Sequence, residues 1–377
     1  MRLASLTAVW PSPSETALAR EVDGLRAAGV DLRVFALRAD GPADPTVGYA
    51  PPPWHTARVR HPATVARLAA GCRSAAQLRH LPSALWLAEQ MAEQGCNALH
   101  AAWANLPADL AWMAQQLGGP AYTVAGHAFD VFVTQQAPPA AWADALGFVT
   151  CNRAAQRALA RRLGADRVTY LPHGLPLDQW PRRVGTPLEP LILGVGRLVP
   201  KKGFDTLVRA VARLNLAPRL VVLGDGPERE RLTELAAGLG VALELPGQIP
   251  AGQVRGWLER ASLLALPSRV TARGDRDGLA NVILEAMAVG VPVVSTAAGS
   301  AEDAIAHGRT GLLVPADDAQ SLADSLGRVL THGGLAERLA HGARAQVEHR
   351  FNLEVNTARL ARWLSSVHSR RRDGLGV

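Results

Sequence analysis

The sequence predicts an α/β protein of two doubly wound, parallel-sheet domains facing a cleft. Three observations predict it. The chain has 377 residues, which suits two cores of ordinary size better than one. It opens on a strand–loop–helix–strand run, the start of a doubly wound sheet. A proline-rich stretch, Leu175–Pro190, is followed by a fresh buried strand, Leu191–Gly194, and a second set of such units.

The elements follow in order. Arg2–Val9 alternates loosely and is the first strand. Ser14 can cap the helix that runs to about Ala28, Gly29 closes it, and Asp31–Leu37 is the next strand. Ligands of such folds sit at the carboxyl ends of the strands, which places the Ser14–Glu15–Thr16 loop at the cleft. Asp40–Pro53 reads as loop. From Pro45 to Ala88 there is no acid, while Arg58, Arg60, Arg67, Arg73, Arg79, His55, His61 and His80 stand among apolar residues. That pattern fits amphipathic helices. Their face either docks on an anionic membrane or acceptor, or is simply a solvated arginine surface. Ala98–Ala102 is a strand carrying His100. Ala121–Ala125 is another and leads into Gly126 and His127. Position at a strand's carboxyl end favours function for His127, against the usual structural role of a lone histidine. Phe148–Cys151 and Val168–Leu171 are further strands, and Pro172-His173-Gly174 is a tight loop.

In the second half Gly194-Val195-Gly196-Arg197 follows a strand and leads to Lys201, Lys202 and Gly203. Gly224-Asp225-Gly226-Pro227 is a turn between strand and helix. Gly274–Gly290 passes from a polar, glycine-rich loop into a helix that Gly290 ends, and Pro292 begins a strand. A helix start offers unpaired N–H groups and partial positive charge to a diphosphate. Glu285, about one turn in, can reach a ribose diol, and Asp277, in the loop before, can accept from sugar hydroxyls. An ordinary αβ unit with a solvated Asp and Glu fits the same stretch.

Composition narrows the function. Hydrophobic residues are 48% and charged residues 19%, a globular composition. No apolar run approaches the ~20 residues of a membrane span, and the N-terminal apolar run is too short for a signal peptide. Cys72, Cys96 and Cys151 lack metal-ligand spacing and read as free thiols, so the expected location is the cytoplasm. The net charge of +7 favours anionic partners, but no nucleic-acid motif stands out and only 5% of residues are aromatic. Arginine supplies nearly all positive charge. The only two lysines are the adjacent Lys201 and Lys202, where a compact ammonium suits a phosphate.

Taken in order and spacing, these motifs resemble the retaining glycosyltransferases of the GT-B fold, family 4 (group 1). The likeness is greatest to the branch that builds exopolysaccharides of colanic-acid type. Gly194–Gly203 resembles the family's phosphate motif, Val221–Glu228 its Gly-Asp/Glu-Gly-Pro turn, and Asp277–Glu285 its paired carboxylates. Gly308–Val314 resembles its Gly-x-Thr-Gly-Leu-Leu-Val run. Pro13–Thr16, Leu99–Ala101 and Ala125–Asp130 resemble its N-terminal loop and two histidine-bearing strand ends.

The resemblance implies two Rossmann-like domains: residues 1–180 for the acceptor, 181–350 for the nucleotide sugar, and a helix, 351–377, crossing back to the first. It implies that Arg197 and Lys202 hold the donor diphosphate with Gly196 beside them, and that Glu285 binds the ribose. Asp277 binds donor-sugar hydroxyls, and backbone N–H groups of Leu279, Ala280, Asn281 and Val282 help hold the phosphates. His127 sits by the reacting carbon, so His127, Arg197, Lys202 and Asp277 are the catalytic candidates. Ser14, Glu15, Thr16 and His100 line the acceptor side. No cofactor and no metal are implied. The partners would be a nucleoside-diphosphate sugar, a saccharide or lipid-linked acceptor and, as a peripheral contact, the anionic inner membrane face, with no nucleic acid. Asp277 stands where Glu is usual, Ala102 where a second His would stand, and Ala280 where Gly is common. Three rivals share parts of the pattern. A NAD-dependent oxidoreductase lacks its third glycine, since Val199 stands there. A nucleotide-sugar 2-epimerase and a non-catalytic nucleotide-sugar binder stay open.

Overall fold

The computed structural model describes residues 1–11, 16–50, 62–71, 75–133, 139–185, 187 and 189–373. It divides into two compact units, Met1–His173 with Glu354–Val377, and Gly174–Leu353. The divisions fall at 173/174 and 353/354, displaced from 180 and 350. The reason is burial: Leu175, Trp180 and Phe351 all lie in the second unit's core. There Leu175 N–H donates to Phe351 O (2.7 Å) and Leu353 N–H donates to Leu175 O (3.1 Å), so the incoming and outgoing segments run side by side.

The first unit holds seven parallel strands: β1 Arg2–Val9, β2 Asp31–Arg38, β3 Val47–Tyr49, β4 Ala98–Ala101, β5 Tyr122–Ala125, β6 Phe148–Thr150 and β7 Val168–Tyr170. Their order is β3-β2-β1-β4-β5-β6-β7. The chain runs outward from β1 in one direction and from β4 in the other, so the strand order reverses between them. Both sheet faces are covered, which is why the strands are buried along most of their length. Leu3, Val34 and Ala98 face one core, while Ala4, Leu6, Phe35 and Leu99 face the other, as a two-residue period demands. The first of these cores also takes Leu360 and Leu364 from the helix Leu353–Asp373. Those two leucines stand four apart on one face, and burying each is worth about 1.5–3 kcal/mol. They meet Val22 and Leu25 of the helix Thr16–Ala27. The approach is close at Gly24, where a Cβ would stand 2.6 Å from Thr357 Cγ2.

The second unit holds six parallel strands: β8 Leu191–Val195, β9 Arg219–Leu223, β10 Leu243–Gly247, β11 Leu263–Leu266, β12 Val293–Thr296 and β13 Leu312–Val314. The order β10-β9-β8-β11-β12-β13 reverses between β8 and β11. Among the described residues no helix is long and apolar enough to cross a membrane.

Candidate functional site

The reversal between β8 and β11 leaves a crevice at their carboxyl ends, the position where open α/β sheets bind ligands. The sequence motifs converge there. After β8 the chain passes Gly196 and the exposed Arg197, then makes a single turn, Pro200–Lys202. Gly196 has φ +154°, and a Cβ on it would lie 3.0 Å from Lys202 Cε. Glycine therefore lets the Lys202 side chain lie against the backbone. After β11 the loop from Ser268 carries Asp275 and Asp277. Lys202 Nζ is 2.8 Å from Asp277 Oδ2, and Ser268 Oγ donates to the same oxygen at 2.8 Å. Both charged side chains are only 12% exposed. Lys201 Nζ is 3.0 Å from Asp275 Oδ1 and 3.8 Å from Asp277 Oδ1. Ions this far from water persist when paired and hydrogen-bonded, and here two ammoniums face two carboxylates.

The same loop is clamped at its root. Arg269 N–H donates to Lys201 O at 2.8 Å, and its guanidinium binds Asp205, Thr206 Oγ1 (2.8 Å) and Asp317 Oδ1 (2.8 Å). The loop then enters the helix Asn281–Val289 through Leu279 and Ala280, both packed on the second core. Ala280 is the N-cap and supplies no side-chain hydrogen bond. The first-turn N–H groups are thus not spent on a capping side chain, and the helix start presents partial positive charge. Glu285 follows about a turn later and is buried, 7% exposed. Gly196, Arg197, Lys202, Asp277, Leu279–Val282 and Glu285 all lie on these segments. Arg197 has no ion-pair partner among the described residues. Lys201, read from the sequence with Lys202 as a phosphate pair, and Asp275, read within the sugar-binding Asp275–Asp277 loop, complete the cluster with Ser268, to which sequence reasoning gave no role. The adjacency of the two lysines was the available signal, since only one of them can face a ligand while the other braces the loop.

The first unit has its own constellation at the carboxyl ends of its strands. His127 follows β5 and starts the short helix Ala128–Phe132. Its ring lies on Trp103, centroids 4.2 Å apart, and stacks at 5.5 Å on His173, which follows β7. Cys151, directly after β6, brings its sulfur within 4.8 Å of a ring nitrogen of His173. His173 Nδ1 lies 3.4 Å from Glu21 Oε2. Asp130 is wholly buried and accepts from Ala104 N (3.2 Å), Asn105 Nδ2 (2.6 Å) and His127 N (3.2 Å). Burial lifts the Cys151 thiol, but the neighbouring His173 and His127 outweigh it and hold it at about 7. Burial opposes charge on both histidines, yet Cys151, Glu21 and Asp130 raise them above the ordinary imidazole range. The positional rule that selected His127 also fits Cys151 and His173, which sequence reasoning left as a free thiol and a turn.

The acceptor-side residues are less concentrated. Ser14 and Glu15 lie outside the described residues, as do Arg58, Arg60 and Arg73. Thr16 opens the helix Thr16–Ala27. His100 is 1% exposed inside β4, with Nδ1 2.9 Å from Thr123 Oγ1, and burial pushes its pKa down to about 4. Glu21 and His127 are the charged groups nearest it.

Residues 189–332 match the family model "Glycosyl transferases group 1". WcaL of Escherichia coli (strain K12), named as a colanic acid biosynthesis glycosyltransferase, is 34% identical over 233 residues, 60% of this chain and 55% of WcaL. A GDP-mannose-dependent α-(1-6)-phosphatidylinositol monomannoside mannosyltransferase of Mycolicibacterium smegmatis is 31% identical over 240 residues, 59% of this chain and 62% of that protein. The chain thus spans under two thirds of these relatives' length. Among solved structures, Anabaena Alr3699/HepE in complex with UDP and glucose superposes with TM-score 0.76 over 97% of this chain and 100% of that one, at 18% identity. Sucrose-phosphate synthase from Thermosynechococcus elongatus gives 0.76 over 98% and 100%, at 21% identity. Residues 189–332 therefore match a glycosyl transferases group 1 model, in a chain that shares its two-sheet fold with these solved structures.

Proposed function

We propose that the protein moves a sugar from a nucleoside-diphosphate sugar to an acceptor hydroxyl, with retention of configuration, in exopolysaccharide, lipopolysaccharide or glycolipid biosynthesis. The Lys202–Asp277 pair carries this reading. It sets a cation and a carboxylate side by side at the switch point of the second sheet, beside an uncapped helix start. As the bond from sugar to phosphate breaks, negative charge grows on the diphosphate and positive charge on the sugar. Lys202, Arg197 and the helix N–H groups answer the first, already oriented and so at little reorganisation cost. Asp277 accepts from sugar hydroxyls, and Glu285 accepts from the ribose. His127 is the catalytic candidate that the first unit contributes. The departing phosphate oxygen takes the acceptor proton on the face it leaves, which accounts for retention. These cations do the work a metal would do, so the transfer itself is read as metal-independent. The work is assigned to the cytoplasm, with a peripheral contact to an anionic membrane supported by charge alone. The UDP–glucose complexes of HepE and the GDP-mannose dependence in the mycobacterial relative's name support a nucleotide-sugar donor without choosing its base.

The test is a thermal-shift screen against nucleoside diphosphates and their sugars without metal, followed by turnover. One nucleoside diphosphate should raise the melting point of the wild type by mass action and leave Lys202→Ala and Glu285→Ala unmoved. Lys202→Ala should also lose roughly 100–1,000-fold in kcat, the usual cost of one preorganised electrostatic contact. A shift by NAD and by no nucleoside diphosphate would sink the proposal. Free sugar released from the donor without acceptor would identify an epimerase instead. Binding without turnover of any offered acceptor would reduce the protein to a binder.

A further inference from the structure

The transfer chemistry leaves Cys151 and His173 without employment. Both sit with His127 at the carboxyl ends of three adjacent strands, β5, β6 and β7. Neighbouring parallel strands are about 4.8 Å apart, so residues ending three such strands bring their side chains together. One ligand-capable atom from each of His127, Cys151 and His173 lies within 4.8 Å of the other two.

We propose that His127, Cys151 and His173 form a binding site for a borderline divalent cation of the Zn²⁺ class. Two imidazole nitrogens and one thiol sulfur make an N₂S set, which suits Zn²⁺ or Co²⁺ and rejects Mg²⁺ and Ca²⁺, which take oxygen. A tetrahedral Zn²⁺ with bonds of about 2.0–2.3 Å holds its ligand atoms roughly 3.3–3.8 Å apart. The three side chains need to draw in by about 1 Å, a movement small enough for side-chain rotation.

The second layer of contacts has the form a zinc site needs. Each histidine turns its Nδ1 toward a carboxylate. His173 Nδ1 is 3.4 Å from Glu21 Oε2, and His127 Nδ1 is 3.7 Å from Asp130 Oδ2. The Glu21 carboxylate favours the Nδ1–H tautomer of His173 and leaves its Nε2 lone pair for the metal, while His127 Nδ1 has no hydrogen-bond partner among the described residues. Asp130 is itself fixed by Ala104 N–H and the Asn105 amide, and is wholly buried. Three protein ligands leave a fourth position for water, the pattern of an exchangeable site more than of a closed structural one. Resting on the functional reading above, the metal would be inhibitory: it takes up the imidazole of His127, the first unit's catalytic candidate.

The binding test does not depend on that reading. The purified full chain is titrated with Co²⁺ and followed by absorbance. One equivalent should raise a thiolate-to-cobalt charge-transfer band with the intense visible bands of a tetrahedral centre. Cys151→Ser should abolish the charge-transfer band, and Cys96→Ser should keep it. Glu21→Gln should weaken affinity about 10–100-fold, as loss of an outer-layer partner does. A measurement on the unmodified protein guards against a misfolded variant: saturating Zn²⁺ should shield Cys151 from iodoacetamide, read by peptide mass spectrometry, and EDTA should restore labelling. No charge-transfer band, a band that survives Cys151→Ser, or labelling of Cys151 unchanged by Zn²⁺ would each overturn the site. If the metal binds and glycosyl transfer is undisturbed, the site stands and only its inhibitory role falls.

Discussion

At the scale of single residues, the chemistry-bearing side chains were legible where their type and position agreed. Lys202 could be picked out because the chain otherwise writes Arg, and Asp277 because a short carboxylate precedes a helix start. Their direct contact at 2.8 Å was not legible, since it depends on two loops from different strands meeting. The burial of His100 was not legible either. A histidine near a strand end points up into the crevice or into the layer beneath it, and which one it does is decided by register. Asp109 shows the opposite case, a charge with no evident task. It lies in the first turn of the helix Leu106–Gln116, is 6% exposed, and its Oδ1 has no hydrogen-bond partner among the described residues. Burial pushes its pKa up to about 7. Between the ordinary Asp value and that one, the native state keeps a proton that the unfolded chain has released. Stability therefore falls as pH rises through this window, and the loss levels off above pH about 7. Asp109→Asn should gain on the order of 2 kcal/mol at pH 8 and distinctly less near pH 4, in urea melts at the two values. Equal gains at both would contradict the assignment.

At the scale of elements, the central strands could be read because both their faces are buried and their sequences are nearly all apolar. The two strands that escaped notice are β3 and β13, each of three residues and each at a sheet edge. An edge strand is paired on one side only, needs little length, and leaves no period to detect. In β3 the residue is Gly48, where a Cβ would come within 2.8 Å of Phe35 Cδ1, so packing there selects against a strand-forming residue. A similar conflict of local and tertiary preference sets up a test at Gly24. In an exposed helix Gly→Ala stabilises by about 0.5–1 kcal/mol. Here the added methyl meets Thr357, 4% exposed, on the C-terminal helix. Gly24→Ala should lower the denaturation midpoint, and adding Thr357→Ala should recover part of the loss. A stabilised single variant would mean that the two helices have room to separate.

At the scale of the whole molecule, charge and two-fold division were readable from composition and length, while the acid-free stretch from Pro45 to Ala88 stayed the least determined. Much of its arginine lies outside the described residues, and Arg79 is exposed on the helix Ala75–Glu93. The net charge of +7 makes the physical expectation specific. The protein should bind vesicles rich in anionic lipid at low salt and detach as the Debye length falls from about 30 Å at 0.01 M to about 3 Å at 1 M salt. Co-sedimentation that is as strong with neutral vesicles would remove electrostatics as the cause.

The rarity of lysine has a practical outcome. Apart from the α-amino group, every primary amine in the chain belongs to Lys201 or Lys202, and both are held against carboxylates with little solvent exposure. Amine-directed acylating reagents should therefore mark the native protein almost solely at its N-terminus. Tag-free immobilisation through amines would leave every molecule tethered by the same end. Any acyl group found on Lys202 would record a moment when its grip on Asp277 had opened.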